Sequence, residues 1–393
     1  MKDYQKKIKA YIHLNQERFI QLSHAIHENP EVSNEEYYAC ELLTTVLKEE
    51  GFEVQVGIAG HPTGFIATKQ SSIEGPTIGL LAEYDALAGI GHACGHNIIG
   101  SSSVFAACAL AQIIEEVGGT LKVFGTPAEE GGDNGSAKAT YVDAGLFHEV
   151  DACMMIHPSS VTAPTCPSLA LHPIEFEYFG APAHAAGAPE KGINALDAMI
   201  QLYTGINALR QQFTSDIKIH GIITHGGDAP NIIPAYTKAR FYIRAATAKS
   251  RDIVTEKVIN IAKGAALATG CEVAHSTYQN KIEDLIVYPY FNQLFTRQAK
   301  NLGLNVDLDS QKGMGSTDAG NVSHVVPTIH PTLKICEESV VAHTEAFKAA
   351  AKSKSGDDAV IGGATLLGLI TLDLLTNPNH LDNIKQEFEQ INK

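Results

Sequence analysis

The sequence predicts an α/β fold: a larger domain with a mostly parallel sheet and helices on both faces, and an inserted ferredoxin-like α+β domain. One observation is a β-α-β unit, with strands at 77–82 and 121–125 and an Ala-rich helix at 101–117. A second is the β-α-β-β-α-β order of elements between residues 169 and 281. The third is the length of 393 residues, which exceeds one compact core.

The larger domain is expected to be discontinuous and to comprise residues 1–168 and 282–393. Apolar residues at helical spacing predict two helices before residue 50, separated by a turn at Asn29-Pro30. The remaining elements expected in this domain are strands at 51–56, 77–82, 121–125, 151–156 and 331–336 and helices at 101–117, 291–302 and 359–375.

Residues 169–281 form the predicted inserted domain. The alternation of apolar and polar residues at 174–179 is typical of an antiparallel sheet with one face in water. The elements expected after this strand are a helix at 194–210, strands at 218–224 and 237–244, a helix at 250–269 and a strand at 271–277.

Composition and charge exclude several classes of function. The formal net charge of −15 repels the phosphate backbone, so we expect no nucleic-acid partner. No apolar signal core follows the first residues, and no apolar run reaches the ~18 residues of a membrane span, so we expect a soluble, cytoplasmic protein with no membrane partner. Seven cysteines without framework spacing also suit a reducing compartment.

Candidate metal ligands follow three strands of the larger domain. Cys94 and His96 lie beyond the strand at 77–82, Glu129 and Glu130 follow the strand at 121–125, and His157 follows the strand at 151–156. The carboxyl ends of parallel strands meet at one edge of a sheet, and zinc accepts thiolate, imidazole and carboxylate ligands. Each motif alone has an ordinary structural explanation, but together they predict a metal site.

The motifs resemble those of the co-catalytic metal amidohydrolases, the family of aminoacylase, glutamate carboxypeptidase and succinyl-diaminopimelate desuccinylase. The resemblance covers nearly the whole chain and is greatest to the cysteine-containing branch of auxin-conjugate and aminobenzoyl-glutamate hydrolases. The segments 228–234 and 315–321 are similar to an aminoacylase-1-like subgroup. The motifs that carry the resemblance are His92-Ala93-Cys94-Gly95-His96, Thr126-Pro127-Ala128-Glu129-Glu130-Gly131, Ile156-His157-Pro158 and the late His343.

The resemblance implies roles for individual residues of the larger domain. Glu129 is implied as the general base, and Asp85 as a catalytic support behind the metal ligands. Asn97 stands where this branch usually has Asp, so one negative charge beside the metals is missing. The metal ligands that the resemblance implies are Cys94, His96, Glu130, His157 and His343.

The same resemblance implies that the inserted domain is a lid and a dimerisation domain, so we expect a homodimer or a higher homo-oligomer. His184 corresponds to the family's transition-state histidine, Asn231 to its Ala-Pro-Asn-x-Ile-Pro motif, and Arg244 to the end of the matching strand. A guanidinium at that position suits a substrate carboxylate, although a surface arginine at a strand end is also common.

These residues predict a hydrolase for amide bonds of N-acyl amino acids or small peptides. Two divalent ions, zinc or alternatively manganese, hold a water of lowered pKa, and Glu129 passes its proton to the leaving amine. Two competing hypotheses are a hydrolase with Cys94 as nucleophile and a noncatalytic metal-dependent binding protein. The acyl group, the native metal and the oligomer size depend on features that these motifs do not specify.

Overall fold

The computed structural model describes residues 2–310 and 315–392 and divides them into two compact units. The smaller unit consists of Ser168–Asp284 and Gly315–Thr317, and the other described residues form the larger unit. The boundaries expected from the sequence lie at 169 and 281. The short return of the chain to the smaller unit at Gly315–Thr317 has no counterpart in the sequence-based division.

The regular elements are numbered in chain order. The helices of the described chain are α1 (Lys2–Glu28), α2 (Tyr37–Glu49), α3 (His96–Ala111), α4 (Ile114–Val117), α5 (Ala137–Asp143), α6 (Ala195–Leu209), α7 (Ala248–Thr269), α8 (Pro289–Asn301), α9 (Ala319–Ser323), α10 (Glu345–Ala351), α11 (Lys354–Thr376) and α12 (Pro378–Ile391). The strands are β1 (Glu53–Ile58), β2 (His61–Gln70), β3 (Thr77–Ala82), β4 (Thr120–Gly125), β5 (Ala152–Met154), β6 (His157–Ser159), β7 (Ala170–Phe179), β8 (Lys218–His225), β9 (Tyr236–Ala245), β10 (Glu272–Thr277), β11 (Thr328–Ile329) and β12 (Thr332–Lys334).

The larger unit is built on a sheet with the strand order β1-β2-β4-β3-β5-β11. Strands β4, β3, β5 and β11 run parallel, whereas β1 and β2 are antiparallel to their neighbours. Neighbouring residues of β3 belong to hydrophobic cores on different faces of the sheet. Leu80 belongs to the core that includes residues of α1, α3 and α11, whereas Leu81 belongs to the core that includes residues of α5 and α9. Helices therefore cover both faces, and the predicted fold class is confirmed.

Three local differences from the expected elements have physical causes. Strand β2 begins with His61-Pro62 and has no clean alternation, which explains why the sequence pattern missed it. The strand expected at 151–156 is shorter, because β5 ends at Met154; a separate strand, β6, begins at His157 and pairs with β12. The helix expected at 101–117 begins earlier, at His96, and stops before the short α4.

Helix α11 is long and apolar enough to cross a membrane by length and composition. However, 78% of its apolar window is buried inside the protein, where the helix packs against α1 and α3. A helix in this environment is a core helix, as the flanking charges in the sequence suggest.

The smaller unit contains an antiparallel sheet in the order β10-β7-β9-β8, with the chain passing through β7-α6-β8-β9-α7-β10. This is the predicted β-α-β-β-α-β order. Buried residues of α6 and α7, such as Leu202 and Val258, pack against sheet residues such as Phe176 and Phe241. One face of the sheet is thus covered by the two helices.

Candidate metal centre

The candidate site lies in the larger unit, where β4, β3 and β5 end side by side. Register pairs Ala82 with Gly125 and Leu80 with Met154, so the segments that follow these strands leave the sheet at one edge. Those segments carry Glu83 and Asp85, Glu129 and Glu130, and His157, while Cys94 and His96 stand at the start of α3.

Gly95 allows Cys94 and His96 to approach the same place. Its φ of +79° lies in the left-handed region, which residues with a Cβ rarely adopt. A Cβ on Gly95 would also lie 2.5 Å from the ring of Pro158, directly after His157. The glycine between the two ligand types is therefore required by both backbone conformation and packing.

The structure brings together the side chains that the sequence predicts as ligands. Their ligand atoms form groups of three in which all atoms lie within 4.8 Å of one another. Cys94 belongs to two of these groups and thus stands between them. The groups are Cys94 with His96 and His157, Cys94 with Glu130 and His343, and His96 with Glu129 and Glu130.

Hydrogen bonds orient both buried imidazoles. His96 Nδ1 lies 2.8 Å from Asp85 Oδ1, and His157 Nδ1 lies 2.7 Å from the carbonyl oxygen of Pro158. These acceptors fix the proton on Nδ1 and leave Nε2 as a metal-binding atom. His157 Nε2 then faces Cys94 Sγ at 3.6 Å, and His96 Nε2 has no hydrogen-bond partner within the described residues.

His343 reaches the site from the loop before α10. Its φ of +66° is unusual for a residue with a side chain, and its N–H donates to the carbonyl of Ala93 at 2.9 Å. This places His343 Nε2 3.5 Å from Glu130 Oε1. The side chain is 56% exposed, unlike the fully buried His96, so it marks the solvent side of the cluster.

Sequence reasoning missed a buried charge cluster beside these ligands. Lys138 Nζ lies 2.6 Å from Glu83 Oε1 and 2.6 Å from Asp318 Oδ1, and all three side chains are almost completely buried. Asp318 belongs to the polar segment that the sequence singled out, and Glu83 stands two residues before Asp85. Nothing in the sequence pattern marks Lys138 as part of a buried site, because a lysine on a short helix is normally solvent-exposed.

His330 is a further missed residue. It is 1% exposed, its ring stacks on that of His157 at 5.4 Å, and burial lowers its pKa to about 3. A neutral His330 adds no positive charge beside His157.

The electrostatics of the cluster fit divalent cations. The cluster contains one lysine, Lys138, and five carboxylates, those of Glu83, Asp85, Glu129, Glu130 and Asp318. Burial, together with the charges of Glu83 and Glu130, raises the pKa of Glu129, and burial raises the pKa of the Cys94 thiol. Cations supply the missing positive charge, and the sulfur, imidazole and carboxylate donors match the ligands of zinc.

Asn97 faces away from this cluster. Its amide nitrogen donates to Ser23 Oγ at 2.9 Å and to the carbonyl of Ala351 at 3.2 Å, so it joins α3 to α1 and α10. Asn97 therefore places a neutral amide between packed helices, at the position where this branch usually has an Asp carboxylate.

The other predicted site residues lie in the smaller unit, which we consider by itself. His184 Nδ1 accepts the N–H groups of Ala186 and Gly187, which leaves the ring proton on Nε2. The segment of Asn231 lies beside it, because the Asn231 carbonyl accepts the N–H of Ala185 at 3.0 Å. Arg244 Nη1 donates to Ser316 Oγ at 2.9 Å.

Comparisons with known proteins agree on one family. Residues 174–269 match the M20 peptidase dimerisation domain. The chain is 36% identical to mouse Xaa-Arg dipeptidase over 95% of this chain and 89% of the relative. It is 33% identical to one of the subunits of the p-aminobenzoyl-glutamate hydrolase of Escherichia coli, over 68% of this chain and 59% of the relative.

Solved structures share the fold at low sequence identity. A putative aminohydrolase from methicillin resistant Staphylococcus aureus matches with a TM-score of 0.77 and 18% identity, over 94% of this chain and all of the other. A dinuclear metal binding peptidase of the M20 family from Bacillus subtilis matches with a TM-score of 0.64 and 20% identity, over 91% and 99% of the two chains.

Asp85 provides a test of the site geometry, because its two oxygens bind His96 Nδ1 and the backbone N–H of Glu130. We predict that Asp85→Asn weakens metal binding about 10- to 100-fold, since an amide offers one acceptor in place of two. Competition of purified protein with a chelator measures this change. Asp357→Asn is the matched control: Asp357 pairs with His24 at 2.7 Å in the same unit. Equal affinity of both variants for metal would contradict the prediction.

Proposed function

Since this chain belongs to the M20 family of metal-dependent peptidases and amidohydrolases, it hydrolyses amide bonds, and we propose that it does so with two divalent ions at the Cys94 cluster. The single observation that carries the proposal is the pair of three-residue ligand groups that share Cys94. Its substrates are small peptides or acyl-amino acids.

Two ions fit the ligand count and the charge. The first ion would be held by Cys94, His96 and His157, and the second by Cys94, Glu130 and His343. With five ionised carboxylates, the Cys94 thiolate and one lysine, the cluster has an excess of five negative charges, of which two divalent cations would balance four. We propose zinc because of the thiolate and imidazole ligands, with manganese as the alternative favoured by carboxylates.

The protein groups divide the chemistry between them. When bound, the ions lower the pKa of water and polarise the amide carbonyl. Glu130, whose N–H is held by Asp85 and whose Oε1 faces His343, is committed to metal. Adjacent Glu129 takes the proton of the attacking water and delivers it to the leaving amine, which is the role of a general base followed by that of a general acid.

The substrate class that we propose first is dipeptides, with N-acyl amino acids second. The similarity to mouse Xaa-Arg dipeptidase over 95% of the chain supports dipeptides. Arg244, held by Ser316 and packed 5.6 Å from the Tyr242 ring centroid, presents a guanidinium for a terminal carboxylate. Asn231 is proposed to contact the same substrate.

We propose further that the smaller unit dimerises and that His184 stabilises the charge of the tetrahedral intermediate. The match to a peptidase dimerisation domain supports the assembly. The hydrogen bonds to Nδ1 leave Nε2–H as a donor, and Nε2–H is the group that a developing oxyanion needs. A reducing, cytoplasmic setting is consistent with seven cysteines that are all described and all free.

The competing thiol mechanism is disfavoured by the environment of Cys94. Burial and the nearby Glu130 raise the pKa of its thiol, whereas a nucleophilic cysteine needs a lowered pKa. A protein that only binds metal would not need a proton-accepting carboxylate such as Glu129 next to the candidate metal ligand Glu130.

The experiment that tests the function combines metal analysis with a substrate panel. The metal-free protein is expected to be inactive, and added Zn²⁺ or Mn²⁺ should restore hydrolysis of dipeptides, N-acyl amino acids or aminobenzoyl-glutamate. His157→Ala should lose metal as well as rate, because it removes a ligand. Full activity of metal-free protein, or inactivation by thiol alkylation with unchanged metal content, would instead support the cysteine mechanism.

The paired carboxylates give a second prediction. Glu129→Gln is expected to keep both metals and lose about 10²–10⁴-fold in kcat, because an amide cannot take a proton. Glu130→Gln is expected to lose metal first, because it removes an anionic ligand. Metal content per chain and kcat, measured on the same preparations, separate the two roles. Equal metal loss in both variants would contradict this division.

The proposed dimerisation of the smaller unit gives a third prediction, that His184 acts on the active site of the partner subunit. His184→Ala protein and Glu130→Ala protein should each be inactive, whereas mixed dimers contain some sites with both groups intact. Mixing under conditions of subunit exchange should therefore recover part of the activity. Absence of recovery in mixed dimers verified by mass would show that His184 acts in its own chain.

A further inference from the structure

The backbone on each side of Glu129, the proposed general base, is held by a buried carboxylate. On the carboxyl side, the N–H of Glu130 donates to Asp85 Oδ2 at 2.9 Å. On the amino side, the N–H of Ala128 donates to Glu36 Oε1 at 3.0 Å. The two acceptors come from different parts of the chain, so each can be removed without the other.

The N–H of Ala128 is the first one available in the turn after β4. The N–H of Thr126 still bonds to the carbonyl of Ala82 at 2.8 Å, and Pro127 has no N–H. Ala128 is fully buried and has a φ of +61°, which is unusual for a residue with a side chain. Because water does not reach this N–H, it needs an acceptor inside the protein, and the Glu36 carboxylate is that acceptor.

Glu36 is itself fixed at the start of α2. Its carbonyl accepts the N–H of Cys40 at 3.0 Å, as in the first turn of a helix, and the residue is fully buried. Oε1 also accepts the N–H of Asn34 at 3.0 Å, and Oε2 accepts the hydroxyl of Thr63 at 2.7 Å. Together with the N–H of Ala128, these donors hold the carboxylate in one orientation.

The connection between α1 and α2 also holds the far end of the turn. The Ser33 hydroxyl donates to the carbonyl of Gly131, and the Asn34 amide donates to the carbonyl of Asp133 at 3.0 Å. Neither contact uses the Glu36 side chain. Loss of the Glu36 carboxylate therefore acts on the backbone immediately before the general base, while the rest of the turn keeps its contacts.

We propose that Glu36 is a positioning residue that holds Glu129 in place for proton transfer. The inference rests on the proposed function, in which Glu129 carries the proton from the attacking water to the leaving amine. A general base must lie within hydrogen-bond reach of the proton it takes, and a misplacement of about 1 Å costs about 100-fold in rate. Asp85 then supports metal binding, whereas Glu36 supports the proton-transfer step.

The test compares zinc-loaded, full-length wild type with three variants of Glu36, and kcat, KM and zinc content are measured on the same preparations. The substrate is the compound that the wild type hydrolyses fastest among dipeptides, N-acyl amino acids and aminobenzoyl-glutamate. Glu36→Ala is expected to lose about 10- to 100-fold in kcat, with unchanged zinc content and with KM within about threefold of wild type. Glu36→Asp withdraws the carboxylate by one carbon and should lower kcat as well, so it tests the role even if Glu36→Ala fails to fold.

Glu36→Gln is the conservative variant. Its amide oxygen can accept both N–H groups and its amide nitrogen can donate to the Thr63 hydroxyl, so it should retain kcat within about threefold of wild type. Glu387→Ala is the matched control in the same unit, because the Glu387 carboxylate likewise accepts a backbone N–H, that of Tyr290 at 3.0 Å. This control should leave kcat unchanged.

Hydrogen exchange followed by mass spectrometry gives a readout independent of activity. Peptides that cover residues 126–136 should exchange faster in Glu36→Ala than in wild type or Glu387→Ala. The positioning role would be overturned by a wild-type kcat in folded Glu36→Ala, by an equal loss of kcat in Glu36→Gln, or by zinc loss that accounts for the lower rate. Full activity of Glu129→Gln would instead overturn the proposed general base itself.

Discussion

The carboxylate of Asp85 is the interaction on which the arrangement of the site depends. One oxygen binds His96 Nδ1 and the other accepts the N–H of Glu130, so a single buried group orients a helix start and a strand end. These two segments come from separate parts of the chain, and each carries one group of candidate ligands. This shared acceptor therefore helps to turn Nε2 of His96 and the side chain of Glu130 toward the same point.

A second buried carboxylate holds the turn that carries Glu129. Buried Glu36, in the connection between α1 and α2, accepts the N–H of Ala128 at 3.0 Å and the hydroxyl of Thr63 at 2.7 Å. Ala128 has a φ of +61°, a conformation that costs a residue with a side chain roughly 1–3 kcal/mol. Such a conformation persists only where neighbouring contacts determine it. The N-terminal helices therefore support the turn that carries Glu129.

Much of the fold and of the candidate site could be predicted from the sequence, because local sequence patterns encode them. The β-α-β unit and the polar residues after each strand predict the sheet and its ligand edge, and the family and the amide hydrolase activity are confirmed by the relatives. The roles of the individual site residues stay predictions. Lys138 and Asp318 could not be paired in advance, because 180 positions separate them and neither belongs to a ligand motif. Strand β2 and the two-residue β11 lack the periodicity that marks a strand.

The order of the candidate ligands along the chain has a consequence for folding. Cys94, His96 and His157 all precede residue 160, whereas the group that contains Glu130 also needs His343. Contacts among the first 160 residues can thus bring the first group together, whereas the second group also requires a non-local contact with the loop before α10. The second group therefore closes a much longer stretch of chain, which costs additional loop-closure entropy.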